Sequence, residues 1–484
     1  MQDFNEKDYS CTFDTKHKNM KNTFYILLIA LMAISCANQM GDATATAQIV
    51  SSSETHVIRH PEWAKNATIY EINVRQHTPQ GTFQALEKDL NRIDSLGIDI
   101  LWLMPINPIG ELNRKGSLGS YYSIKNYVGV NPEFGTIQDF KHFVNAAHSR
   151  GMKVILDWVA NHTAWDHPWI TEHPDWYTHD ANGKIVPPVA DWSDVADLNY
   201  NNRDMRRAMI DAMKFWVKEC DLDGYRCDVA MEVPTEFWDQ ARAELDAIKP
   251  VFMLAEAEQK DHHLKAFDMC YGWEFLHLMN GIAKGEKTTQ DIDTYIEKVN
   301  KEFPQSTIHM YFTTNHDENT WNGTGGERYG QARNLYDVLA FTIGGMPLVY
   351  SGQEGNEQHK NGLPHRYRFF DKDTISFNQY QNEKLYKTLL KAHHEVPALW
   401  NGADGGQFKR IYTSNSKIYA FSRTKGESQV IVMLNFNPAP QSTSFTEALP
   451  EGIFNSIFDN KALALYATGN VQLPGYGYQI FVKK

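Results

Sequence analysis

Cysteine is scarce in this chain of 484 residues. There are five, at 11, 36, 220, 227 and 270, and none stands in a Cys-x-x-Cys pair. The odd count and the apolar surroundings of the last three exclude a disulfide framework. Cys227 reads as a small core residue within a strand. Basic clusters are missing too. The formal net charge is −12, which excludes a polyanion partner, and no nucleic-acid motif is present. No internal repeat or low-complexity tract interrupts the chain. A serine or cysteine nucleophile motif is also absent. What the chain has in quantity is aromatic residues, 12% of the total. Aromatic faces stack on sugar rings, and large barrels also bury many of them.

The longest apolar run near the start, residues 24–34, is too short to span a bilayer and has signal-peptide length. Met20-Lys21-Asn22 opens its positive region, so Met20 reads as the true start. The run ends in Ala33-Ile34-Ser35-Cys36, which resembles a bacterial lipoprotein cleavage box. Residues 1–35 are then a signal segment and Cys36 the lipidated first residue of the mature chain. Residues 36–60 form a polar tether. This pattern implies export and a lipid anchor on a membrane, with the outer membrane favoured because no aspartate follows Cys36 directly.

Residues 61–398 alternate strand and helix patterns. Strands are expected at 69–74, 98–104, 154–156, 222–228, 251–256, 267–271, 309–313 and 347–350. Helices are expected between them, for example over 83–96 with Leu86, Leu90 and Ile93 on one face, and over 137–149. Eight strands separated by helices pair in parallel and close as a (β/α)₈ (TIM) barrel. The alternation breaks at about 162–196, a Trp-, His- and Asp-rich insertion after the third strand that should overhang the barrel's functional end. From 399 to 484 short alternating runs, such as 417–423, 429–435 and 475–482, read as an all-β sandwich domain.

Four stretches place ionisable side chains where strands end. They are Asp157-Trp158-Val159-Ala160-Asn161-His162, Asp223-Gly224-Tyr225-Arg226-Cys227-Asp228, Leu254-Ala255-Glu256 and Thr314-Asn315-His316-Asp317. A barrel collects such ends at one face. Paired carboxylates with an arginine and histidines suit glycoside cleavage. One carboxylate attacks the anomeric carbon, a second carboxyl must stay protonated to assist the leaving oxygen, and a third stabilises positive charge on the ring. Asp228, Glu256 and Asp317 can fill these roles. Arg226 lies two residues before Asp228, hence on the same strand face, and can keep it ionised. His162 and His316 can donate to sugar hydroxyls. Asp157 can bond His162 or Arg226, or bind substrate. Asn161 can brace the insertion or contact a calcium ion.

The four stretches resemble the signature regions of the α-amylase superfamily of retaining glycoside hydrolases. Further similar segments are Gly119-Ser120-Tyr121-Tyr122, Asn131-Pro132-Glu133-Phe134-Gly135-Thr136, Val195-Ala196-Asp197-Leu198-Asn199, residues 345–354 and Phe369-Phe370-Asp371-Lys372-Asp373. The resemblance spans nearly the whole mature chain. It implies Asp228 as nucleophile, Glu256 as general acid/base and Asp317 as transition-state stabiliser. It implies Tyr122 stacked on the reacting sugar, with Arg226, His162 and His316 around it. It further implies α-1,4-glucan substrates such as starch or maltodextrins and no organic cofactor, while Ca²⁺ stays an open question. Met231 and Glu232 stand where many members carry Lys-His, and Asn126 stands where Asp is usual. The segment 228–233 is closer to neopullulanase and cyclomaltodextrinase-like members. Two alternatives stay open: a glucanotransferase or sugar isomerase of the same superfamily, and a non-catalytic glucan-binding protein. The sequence leaves the oligomeric state open.

Overall fold

The computed structural model describes residues 58–446, 449, 452–463 and 471–483. Cys36 and the whole signal and tether segment lie outside these residues.

Eight short apolar runs become the strands of a closed parallel barrel: β1 (Ile69–Ile72), β2 (Ile100–Leu103), β3 (Lys153–Trp158), β4 (Gly224–Cys227), β5 (Phe252–Ala255), β6 (Met269–Tyr271), β7 (Ile308–Tyr311) and β8 (Met346–Tyr350). They neighbour one another in chain order, and β8 closes on β1 through pairs such as Tyr70↔Val349. The strand residues are buried with few exceptions, because helices cover the outside and side chains fill the inside. Gly224 shows how tightly the ring closes. Its φ is +156°, and a Cβ there would sit 1.8 Å from the carbonyl oxygen of Phe252 on β5.

The main helices are Ile137–His148, Arg203–Cys220, Thr235–Asp246, Trp273–Lys284, Gln290–Glu302, Arg333–Thr342 and Glu383–Glu395. Thr136 and Asp139 start the first of these with a capping box. Two expectations need correction. Val74 does not end β1; it begins a one-turn helix, Val74–His77. The stretch 83–96 is two helices, Phe83–Glu87 and Leu90–Leu96, although Leu86, Leu90 and Ile93 are all buried as expected. The break falls at Asp89, whose carboxylate is held by His77 Nε2 at 2.8 Å and by Arg92. His77 lies on the other side of a loop, so its claim on Asp89 is invisible to helical periodicity.

The insertion after β3 is tied down by a two-stranded antiparallel hairpin, His162–Ala164 against Val195–Asp197. Beyond the barrel an antiparallel sheet of six strands follows, with a separate pair formed by Gln441–Thr443 and Val471–Leu473. Alternation along strand Ile418–Lys425 divides its side chains between two cores. Tyr419 and Phe421 pack into the core shared with the barrel, while Ile418 and Ala420 join Ile431 and Met433 in a second cluster. Cys220, Cys227 and Cys270 are buried free thiols.

Candidate active site

The C-terminal ends of β3, β4, β5 and β7 bring the four sequence stretches together. Parallel register does most of this. Asp157 on β3 is the cross-strand partner of Arg226 on β4, and Cys227 is the partner of Ala255 on β5. Asp228 and Glu256 are the next residues along, and the Glu256 amide bonds the Cys227 carbonyl at 3.0 Å.

Arg226 is fully buried at the centre. Its Nη1 donates to Asp157 Oδ1 at 2.8 Å and to Asp228 Oδ1 at 2.9 Å. Its Nη2 pairs with Glu256 Oε2 at 2.9 Å, out of line for a hydrogen bond, and Nε donates to the Tyr271 hydroxyl at 3.1 Å. Of the two side chains expected to bond Asp157, Arg226 does so. The second Asp157 oxygen accepts from Trp102 Nε1 at 3.2 Å and from the Tyr122 hydroxyl at 3.1 Å.

One guanidinium cannot neutralise three carboxylates, so protons are retained. Burial pushes Glu256 up to about 8, Arg226 pulls it down, and the charges of Asp228 and Asp317 add to the rise. Burial likewise raises Asp157, against the pull of Arg226. The Glu256 carboxylate also accepts the amide of Val229 at 2.8 Å. That amide is delivered by an unusual backbone, since Val229 has φ 37° and ψ 48°, a left-handed conformation that a β-branched residue avoids. Strain of this kind persists where the surroundings over-determine the chain, and here it follows Asp228 directly.

His316 lies between two carboxylates. Its Nδ1 meets Glu71 Oε1 at 2.5 Å, and its Nε2 lies 2.8 Å from the Tyr122 hydroxyl and 3.3 Å from Asp317 Oδ2. Burial opposes a charged ring, but Asp317 and Glu71 outweigh it and hold His316 up at about 9. With both nitrogens protonated, Nδ1 donates to Glu71 and Nε2 to the Tyr122 hydroxyl, which in turn donates a hydrogen bond to Asp157. Tyr122 stacks on His316 with ring centres 5.6 Å apart. Asp317 is the most open of the three carboxylates, its side chain 34% exposed.

His162 lies beside this network, within reach of the Asp228 charge and the Tyr122 backbone. Burial lowers its pKa and keeps it neutral. Its ring meets Trp192, at the far end of the insertion, edge-on at 5.5 Å. Asn161 Nδ2 lies 3.3 Å from His162 Nδ1, and its backbone carbonyl accepts from the Leu198 amide at 3.1 Å. Among the described residues no group of three His, Cys, Asp or Glu side chains gathers as an ion site.

Sequence reasoning passed over Glu71, Trp102, Tyr271 and Val229. The signal for Glu71 was available: a carboxylate in the middle of an apolar barrel strand has to be paired.

Residues 64–192 and 176–406 match the family model described as Alpha amylase, catalytic domain, and 408–480 match Maltogenic Amylase, C-terminal domain. Alpha-amylase MalA of Haloarcula japonica is 28% identical over 413 residues, which is 81% of this chain and 58% of that protein. An α-1,4-glucan:maltose-1-phosphate maltosyltransferase of Picrophilus torridus is 26% identical over 441 residues, 83% of this chain and 66% of that protein. The chain thus spans less than two thirds of either relative's length. The crystal structure of an α-amylase from Lactobacillus plantarum superposes with a TM-score of 0.77 at 31% identity, covering 87% of this chain and 99% of that one.

Proposed function

The chain belongs to the α-amylase family, and on that footing we propose that it is a retaining α-glucan hydrolase cleaving α-1,4-glucosidic bonds. The observation that carries this reading is the shared guanidinium: Asp228 on Nη1 and Glu256 on Nη2 of Arg226. Two carboxyl groups held on one guanidinium suit a double displacement, in which the pair stands about 5 Å apart. The Asp228 carboxylate, held by Arg226 Nη1, is the group that attacks the anomeric carbon. Glu256, held protonated near neutrality, gives its proton to the glycosidic oxygen, and the alcohol leaves. The ionised Glu256 then takes a proton from water, whose oxygen opens the glycosyl ester and frees Asp228. Asp317 faces the ring as it becomes positive. Tyr122 and His316 orient the reacting sugar from the far side.

A second reading keeps the first half-reaction and passes the glycosyl unit to a sugar hydroxyl. The observation favouring it is that one of the relatives is a maltosyltransferase. The N-terminal pattern further supports a lipid anchor at Cys36. Incorporation of labelled palmitate that is lost in Cys36→Ser would establish the anchor, and equal labelling would remove it.

Incubation with soluble starch, pullulan and cyclodextrins, followed by product sizing, separates these readings. Hydrolysis predicts new reducing ends and short oligomers, absent in Asp228→Asn. Chain redistribution without new reducing ends would favour transfer. No change with any substrate would leave only glucan binding.

A further inference from the structure

A glucan bound across the carboxylates extends in two directions. The acid protonates the leaving oxygen, so the reducing-side chain passes Glu256. Glu256 follows β5, which stands across the closed ring from β1, whose neighbours are β8 and β2. The non-reducing side of the substrate therefore runs toward the loops after β8 and β2.

A file of aromatic rings leaves the centre on that side. Tyr122, in the loop after β2, stacks on Phe369, in the loop after β8, at 6.0 Å and 13°. Phe369 meets Trp321 at 5.5 Å, and Trp321 meets Phe370 at 6.0 Å. Tyr122, Phe369 and Phe370 are partly buried, whereas Trp321 is 52% exposed. An exposed tryptophan is unremarkable on its own, but this one is held in place. It sits four residues after Asp317 in a π-helical turn, Glu318–Asn322, a distortion found often at functional sites. On one side of it Thr320 donates to the Tyr367 carbonyl at 3.1 Å. Buried Asn319 accepts from the Tyr367 amide at 2.8 Å and donates to Glu357 at 2.8 Å. On the other side Asn322 donates to Glu318 at 2.8 Å. The indole N–H has no partner among the described residues, which leaves it free for a hydroxyl.

We infer that Trp321, seated against Phe369, is the stacking platform for the glucosyl unit next to the reacting one on its non-reducing side. This rests on the α-glucan reading above and adds to it a residue that sets how many sugar units the site holds. The indole face covers the apolar face of the pyranose and its N–H reaches a rim hydroxyl.

Nitrophenyl glycosides isolate this side of the site, because the aryl group is the leaving group and every added glucosyl unit lies on the non-reducing side. Hydrolysis of 4-nitrophenyl α-glucoside, α-maltoside and α-maltotrioside is compared in wild type, Trp321→Ala and Trp321→Phe. In Trp321→Ala the kcat/KM advantage of the maltoside over the glucoside shrinks roughly five- to tenfold, mostly through KM, and Trp321→Phe recovers part of it. An unchanged advantage overturns the platform, and so does an equal loss on all three substrates. If wild type cleaves none of them, the hydrolase reading is the one at fault. Calorimetry of maltotriose binding to Asp228→Asn, with and without Trp321→Ala, then judges the platform alone: weaker binding supports it and equal binding removes it.

Discussion

Arg226 and Asp228 stand two residues apart and touch, Nη1 to Oδ1 at 2.9 Å. The extended backbone between them makes the contact possible, since residues i and i+2 share a strand face. The same guanidinium also meets Asp157 and Glu256. Lysine has no fork with which to hold three carboxylates. Arg226→Lys is therefore expected to lower kcat by on the order of 10³-fold. Arg226→Ala, which strands buried carboxylates, should also cost about 3–5 kcal/mol of stability. Kinetics and urea unfolding check the two effects separately. A lysine variant within tenfold of wild type would refute the central role of the fork.

The acid role proposed for Glu256 has a pH consequence. Its pKa is raised to about 8 by burial, so the carboxyl is protonated below that value and ionised above it. In the proposed mechanism the protonated form is the working one. Turnover of natural glucans should hold through neutrality and fall as pH climbs past about 8. Glucosyl fluoride, whose leaving group needs no proton, should show no such limb in Glu256→Gln. Persistence of the alkaline fall in that variant would assign it to another group.

Glu71 is expected to act through His316. It raises the imidazole's pKa together with Asp317, and the ring stands at about 9. In Glu71→Gln the ring should titrate at least about one unit lower, as followed by NMR of labelled histidine. Turnover should fall roughly tenfold with it. An unmoved titration would reduce Glu71 to a packing contact.

Gly224 makes a prediction about the scaffold. A Cβ at this position meets Phe252 O at 1.8 Å, and the conflict is backbone against backbone. Gly224→Ala should cost about 3 kcal/mol or more, or prevent soluble folding. A melting temperature within about 2 °C of wild type would contradict the closeness of β4 and β5.

The barrel was legible because each strand is an apolar run stopped by a turn and a polar residue, a local pattern. Asp157, Arg226, Asp228, Glu256 and His316 could be placed together for the same reason: parallel strands end at one face, whatever lies between them in sequence. What escaped notice depends on distant partners. The Asp89 carboxylate at the split is held by His77, twelve residues earlier. Glu71 sits in a strand whose neighbours are all apolar, and only the ring at His316 explains it. Trp321 is one tryptophan of twelve, and nothing near it in sequence says that Phe369 lies behind it. Val229 in a left-handed turn is likewise invisible, because valine predicts a continuing strand.

The central claim is that Asp228 carries the glycosyl group during turnover. A fluorinated glucosyl fluoride that forms the intermediate quickly and releases it slowly would trap it, and mass spectrometry of the intact chain and its peptides would locate it. The account predicts one added glycosyl unit per chain, on the peptide bearing Asp228 and absent in Asp228→Asn. Turnover of the reagent with no label, or a label on Glu256 or Asp317, would contradict it.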